Sequence, residues 1–338
     1  MRPGTGGAAD AGQRPDAVIH RFLVRTADAG YVGYVDGGRL LEWIDKAGYD
    51  AAARWSARYC VTAYVGNLHL DRPISVGELV ELHAQIVHTG LSSMHILVTV
   101  FSSNPARGNA IQSAQCLTVF VAVDGRGKPV RVPDFVPDSI LDLQRSRQAR
   151  TRIDLRKHIE AEIAAAAYTT AGTAPDATLR FLASPTDINW GGKVHGGRIM
   201  RWIDEAGYVC GSRWSEGPVI ASYFGGIRFY APVHIGQVVE VNARLLYTGP
   251  YSLHFGIHVT AMDTDADAHV LAAHAVAVFV GFGSDGKRAV PEWHPANDED
   301  IALWRHAERL IALRAGAEPF TSGSLPPSDA APQHLRAR

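Results

Sequence analysis

The chain has 338 residues, 46% of them hydrophobic and 20% charged, with 33 basic residues against 34 acidic ones. That length holds two ordinary domains, and the composition is that of a folded chain with a large core. A formal net charge of −1 excludes a nucleic-acid binder that relies on a broad basic field.

Residues 1–16 lack the apolar stretch of a secretory signal and read as a flexible arm. A β-strand is predicted near 18–26, followed by a Gly-containing loop and a helix over 38–56, where Leu40, Ile44, Ala47 and Ala51 recur at helical spacing. Gly48 in mid-helix costs about 1 kcal/mol against Ala, which predicts close approach to a sheet or a ligand. Four strand-like stretches follow near 59–71, 78–89, 93–102 and 111–123, rich in Val, Ile, Thr and aromatics with turn signals between them. A charged helix is predicted near 138–164. Residues 164–177, "AAAAYTTAGTAPDA", read as a linker. The series then starts again: a strand near 178–184, a helix over 197–215 with Ile199, Ile203, Ala206 and Cys210 on one face, and a last helix near 298–315. Residues 316–338, rich in Pro, Ser and Ala, read as a flexible tail. The expected organisation is therefore an arm at 1–16, a first domain at 17–163, a linker at 164–177, a second domain at 178–315 and a tail at 316–338. A long helix followed by an antiparallel sheet in each domain gives the class α+β. No run approaches the roughly 18 apolar residues of a membrane-spanning helix.

The repeat runs without gaps over most of its length. Gly33 falls on Gly192, an offset of 159 residues, and the same offset carries Trp55 onto Trp214, Pro73 onto Pro232, Thr89 onto Thr248 and Lys128 onto Lys287. A period this long marks a duplicated domain rather than a solenoid. Cys60, Cys116 and Cys210 form neither a CxxC pair nor a zinc-like spacing. They read as buried, inert thiols in a reducing cytoplasm. The strand histidines His69, His83, His88 and His95 have no ligand-like spacing, so no metal or cofactor is implied.

The chemistry-bearing feature is a carboxylate in an apolar helix, present twice: Asp45 in "VDGGRLLEWIDKAGY" and Asp204 in "VHGGRIMRWIDEAGY". A carboxylate among apolar neighbours is costly to keep charged. It reads either as a solvated or backbone-bonded Asp, or as a catalytic group whose proton affinity is set by its site. The loops before the two helices differ. At the repeat offset Asp28 matches Asp187, but Gly30 stands where Asn189 would have its twin. A loop Asn reads as an Asx-turn former, or as an amide that holds a carbonyl or a water.

The stretch "DINWGGKVHGGRIMRWIDEAG" resembles the signature of the hotdog-fold acyl-CoA thioesterases with two hotdog domains in one chain. "IRFYAPVHIGQVVEVNARLLYTGPYSLHFGIHV" and "LHLDRPISVGELVELHAQIVHTGLSSMHILVTV" are similar to that family's strand, turn and strand pattern. The resemblance covers roughly 18–145 and 178–305. It implies two tandem hotdog domains, each a long central helix wrapped by an antiparallel sheet, with sites between them. Each site would join a loop Asn of one domain to a helix acid of the other. Asn189 would then face Asp45 in a complete site, and Asp204 would face Gly30 in a degraded one.

The activity implied is hydrolysis of acyl-CoA to free fatty acid and CoA, a step of lipid metabolism, by a cytoplasmic homo-oligomer, a trimer of double-hotdog chains. Asp45 would act as base toward water, or attack directly. Gly37 and Gly38 are expected to aim backbone N–H groups at the thioester carbonyl from a helix N-terminus, with Gly196 and Gly197 doing so in the degraded site. Substrate contacts are expected from His195, from Ser92 and Ser93 in the turn "TGLSS", from Lys128, and from Arg198. Arg39 has Glu42 at i+3 as a partner, whereas Arg198 has only Arg201 there. The alternatives are a non-catalytic acyl-CoA-binding protein or another hotdog enzyme such as an enoyl-CoA hydratase.

Overall fold

The computed structural model of the protein describes residues 16–106, 108–166, 172–188, 192–266, 268–316 and 320–321. The first half runs β1 (Ala17–Leu23), α1 (Gly37–Ser56), β2 (Tyr59–Val65), β3 (Leu68–Leu70), β4 (Leu79–Thr89), β5 (Ser93–Ser103), β6 (Ile111–Val123) and α2 (Ile140–Ala165). The second half runs β7 (Asp176–Leu182), α3 (Gly196–Trp214), β8 (Val219–Phe229), β9 (Val238–Thr248), β10 (Ser252–Met262), β11 (Val270–Gly283), β12 (Gly286–Lys287) and α4 (Asp298–Ala315). Two of these differ from the expected spans for physical reasons. The stretch 59–71 is two strands, interrupted at Gly66, whose backbone lies so close to Leu117 that a Cβ would stand 2.9 Å from the Leu117 carbonyl oxygen. The stretch 164–177 is shorter than a full linker, since α2 runs to Ala165 and β7 starts at Asp176.

All pairings are antiparallel, and the two half-sheets form one 12-stranded sheet in the order β1-β4-β5-β6-β2-β8-β11-β10-β9-β7. The halves join through β2 and β8, with Tyr64 opposite Arg228 and Val65 opposite Ile227. The short β3 adds a second seam, with Leu68 opposite Phe224.

Helices α1 and α3 lie on one face of this sheet. Their buried faces carry Leu40, Ile44, Ala47 and Ala51 on α1, and Ile199, Ile203, Ala206 and Cys210 on α3. The mid-helix glycines admit aromatic rings. A Cβ on Gly48 would stand 2.7 Å from the Phe120 ring, and one on Gly207 would stand 2.4 Å from the Phe279 ring. On the opposite face, α2 and α4 cover the sheet. Ile159, Ile163 and Leu310 pack there on Val276, which alternates with the inward-facing Ala275 and Ala277. Cys60, Cys116 and Cys210 are buried free thiols. No helix among the described residues is long and apolar enough to cross a membrane.

Candidate active site

The central helices cross antiparallel, so the N-terminus of each meets the middle of the other. The Gly pairs permit this contact. A Cβ on Gly38 would stand 2.8 Å from the Cα of Arg201, and one on Gly197 would stand 2.9 Å from the Cα of Glu42. Real Cβ contacts are not that short, so the backbone itself is the contact surface. Glu42 and Arg201 occupy matching positions of the repeat and form a 3.9 Å ion pair across the crossing.

This crossing places each helix acid against the other helix's first turn. The Asp45 carboxylate accepts from the Gly197 N–H at 2.9 Å and from the Thr62 hydroxyl of β2 at 2.6 Å. Asp204 accepts correspondingly from the Gly38 N–H. The expected placement of Gly37 and Gly38 ahead of Asp45 is therefore corrected. Gly196 and Gly197 serve Asp45, and Gly37 and Gly38 stand at Asp204. The repeat gives matching residues but not which helix end meets which helix middle. The Gly196 N–H has no acceptor among the described residues, and Gly196 lines the cavity at Asp45. A bare N–H at a helix N-terminus is suited to a developing oxyanion.

Two cavities follow from the same pseudo-symmetry. One, of about 1090 Å³, holds Asp45, Tyr49 and Thr62 from the first half, with Lys193, His195 and Phe229 from the second. The other, of about 510 Å³, holds Asp204, Tyr208 and Ala221, with Tyr34, Asp36 and Leu70. The 159-residue offset maps these linings onto each other and exposes where they differ. Thr62 becomes Ala221, and His195 becomes Asp36.

The electrostatics differ accordingly. Burial pushes the Asp45 carboxyl up, and the Thr62 hydroxyl, the Gly197 N–H and the neighbouring His195 pull it back toward ionisation. Burial pushes Asp204 well above the usual carboxylate range, the adjacent Asp36 adds to this, and the Gly38 N–H counters only part of it. Asp36 is raised by its own burial. Asp45 is the better-supported anion, and Asp204 the better-held acid.

Asn189 lies outside the described residues. Ile188, just before it, lines a smaller cavity of about 470 Å³ that also contains Asp45, His195 and Gly197. His195 lines both cavities at Asp45. Arg198 lacks an intrahelical partner but pairs with Asp187 at 2.8 Å, as Arg39 pairs with Asp28 at 3.4 Å and with Glu42 at 2.7 Å. That supplies the structural partner the sequence reading did not find for Arg198. Ser92 and Ser93 line neither large cavity. They close the β4–β5 turn, where the Gly90 N–H donates to the Ser93 carbonyl at 2.8 Å. Lys128 does not line the Asp45 cavity, whereas Arg126 in the same turn does. Thr62 was not singled out from the sequence. Its counterpart is Ala221, but residues 59–65 and 218–224 agree only at Tyr64 and Tyr223, so that mismatch does not stand out in the sequence.

Two units, each a central helix against an antiparallel sheet with a helix acid set on the other's first turn, define a tandem hotdog protein. The Thioesterase superfamily model matches the chain twice, at residues 32–108 and 191–267, and the chain belongs to this superfamily. The cytosolic acyl coenzyme A thioester hydrolase of Mus musculus is 23% identical over 321 residues, covering 88% of this chain and 84% of that protein. The acyl-CoA thioester hydrolase YkhA of Bacillus subtilis (strain 168), itself uncharacterised, is 33% identical over 122 residues, covering 36% of this chain and 71% of that protein. An acyl-ACP thioesterase from Bacteroides thetaiotaomicron shares the fold, with a TM-score of 0.51 and 11% identity over 78% of this chain and 97% of that one.

Proposed function

We propose that the chain hydrolyses acyl-CoA to free fatty acid and CoA, at one complete site per chain built around Asp45. The observation that carries this reading is the buried Asp45 carboxylate held between the Thr62 hydroxyl and the Gly197 N–H, beside an unengaged Gly196 N–H in a cavity shared by both halves. Asp45 acts as general base toward water, Gly196 receives the developing oxyanion, and Asn189 positions the water or the thioester. His195, near Asp45, adjusts the charge of the site. Asp204 lacks these companions: Ala221, Asp36 and Gly30 stand at the matching positions, so that half is a degraded site. The two units span 17–165 and 176–315, with 166–175 between them. Three chains assemble as a trimer in the cytoplasm, in keeping with three buried free cysteines and with relatives named cytosolic.

Release of free thiol from acyl-CoA by the full chain, beside Asp45→Asn and Asn189→Ala, tests this reading. Loss of a general base lowers kcat by roughly 10²–10⁴-fold. An enoyl-CoA hydratase would consume an enoyl thioester without releasing thiol. A binding protein would hold acyl-CoA and turn over none. Light scattering reads the assembly.

A further inference from the structure

The offset that aligns the two cavities also aligns their rims. Arg58 in the α1–β2 turn, Arg126 in the turn after β6 and Lys193 in the loop before α3 all line the Asp45 cavity. At the matching positions the chain has Gly217, Asp285 and Tyr34. All three rim cations are therefore absent from the other half, and one is replaced by an acid.

Arginines that serve the fold here have acidic partners: Arg39 with Glu42, Arg198 with Asp187, Arg228 with Glu160. Arg58 and Arg126 are exposed, and neither makes an ion pair among the described residues. The acid nearest in sequence to Arg126 is already engaged, since Asp124 accepts the backbone N–H groups of Arg126 and Lys128 at 2.8 and 2.9 Å. In the Asp204 cavity two of the three lining cations are engaged by acids: Arg72 is held by Glu78 at 2.6 Å and Arg201 lies 3.7 Å from Glu205, and only Lys287 makes no ion pair among the described residues. A rim with unneutralised guanidinium groups beside a buried acid selects a ligand whose anionic part stays at the mouth while its reacting part goes in.

We propose that Arg58, Arg126 and Lys193 form a phosphate-reading rim that admits the nucleotide end of CoA to the Asp45 cavity. The Asp204 half, where Gly217, Asp285 and Tyr34 stand at the matching positions and only Tyr34 lines the cavity, does not take CoA. This rests on the thioesterase reading above and names the part of the substrate that chooses between the halves.

The test compares two thioesters of the same acyl group, one on CoA and one on pantetheine, which lacks the phosphates and the nucleotide. In the full chain, Arg58→Ala/Arg126→Ala lowers the kcat/KM ratio of the CoA ester to the pantetheine ester roughly a hundredfold, at about tenfold for each lost charge contact. The loss falls on KM. Raising salt narrows the parent's preference for the CoA ester, because exposed charge contacts are screened, and leaves the variant's ratio nearly flat. A ratio equal to the parent's overturns the rim, as does a variant that loses both esters equally. Should neither ester be hydrolysed by the parent, the thioesterase reading fails on its own. Calorimetric binding of CoA then decides the rim: weakening in the double variant supports it, and unchanged affinity overturns it.

Discussion

Replacing Thr62 by Val tests whether Asp45 is the base. The Thr62 hydroxyl donates to the carboxylate at 2.6 Å, and Val, of the same shape, puts a methyl where the hydroxyl stood and leaves no room there for a water to donate instead. A hydrogen bond to a charged group contributes about 1.5–3 kcal/mol. It favours the ionised form, and about 1.4 kcal/mol corresponds to one pH unit of proton affinity. Removing it therefore moves the Asp45 titration upward by about one to two pH units. Since the base acts as carboxylate, the acid limb of kcat against pH moves the same way. On that limb the variant is roughly ten- to a hundredfold slower than the parent, and at the alkaline plateau the two converge. Thr62→Ser restores the hydroxyl and the parent's limb. The assay is thiol release from acyl-CoA across pH. A uniform fall in kcat with an unmoved limb would refute the reasoning, because Thr62 would then be touching something other than the proton on Asp45.

Asp204→Asn keeps an acceptor for the Gly38 N–H and leaves thiol release intact, whereas Asp45→Asn lowers it by roughly 10²–10⁴-fold. The same Asp204→Asn chain is stabilised relative to the parent, by a margin that grows with pH. Burial raises the folded-state affinity of Asp204 for its proton, so the unfolded chain ionises first and the parent loses up to about 1.4 kcal/mol per pH unit until Asp204 itself ionises. Thermal midpoints at a series of pH values read this margin. Gly197→Ala drives a methyl into the α1 backbone, 2.9 Å from the Glu42 Cα, and costs about 1–3 kcal/mol by denaturant unfolding.

Much of the frame was legible because it is periodic. The helical stripes place α1 and α3 within a residue of their observed ends, and the strand patterns place β4, β5 and β6 as closely, whereas the strand expected near 18–26 ends at Leu23. The 159-residue offset shows that the architecture occurs twice. What stayed hidden depends on the crossing of two helices, a property of neither alone. The helix crossing turns the Gly pair of one half toward the acid of the other, which reverses the expected pairing of Gly37 and Gly38 with Asp45. Thr62 was hidden for a related reason. Nothing in a strand's alternation says which residue sits opposite a helix acid. The partner of Arg198 could have been found, since Asp28 and Arg39 recur as Asp187 and Arg198 at the same spacing.

The same crossing gives Asp204 a structural role apart from any chemistry. Asp204 accepts the Gly38 N–H at the start of α1, in backbone contact with α3 and closed to water. Removing that acceptor leaves a buried donor unpaired, at a cost of about 1–3 kcal/mol. The acid and the Gly pair are thus held in both halves by the packing of α1 on α3, whatever happens to catalysis. Thr62 and His195 have no such duty in the crossing, and their counterparts are Ala221 and Asp36. Residues present in both halves are those the helix crossing requires, and residues present in one half are those a reaction would require. By that division Asp204→Ala should cost stability while sparing turnover, and Thr62→Val should move the acid limb of turnover, which Asp204→Ala leaves in place.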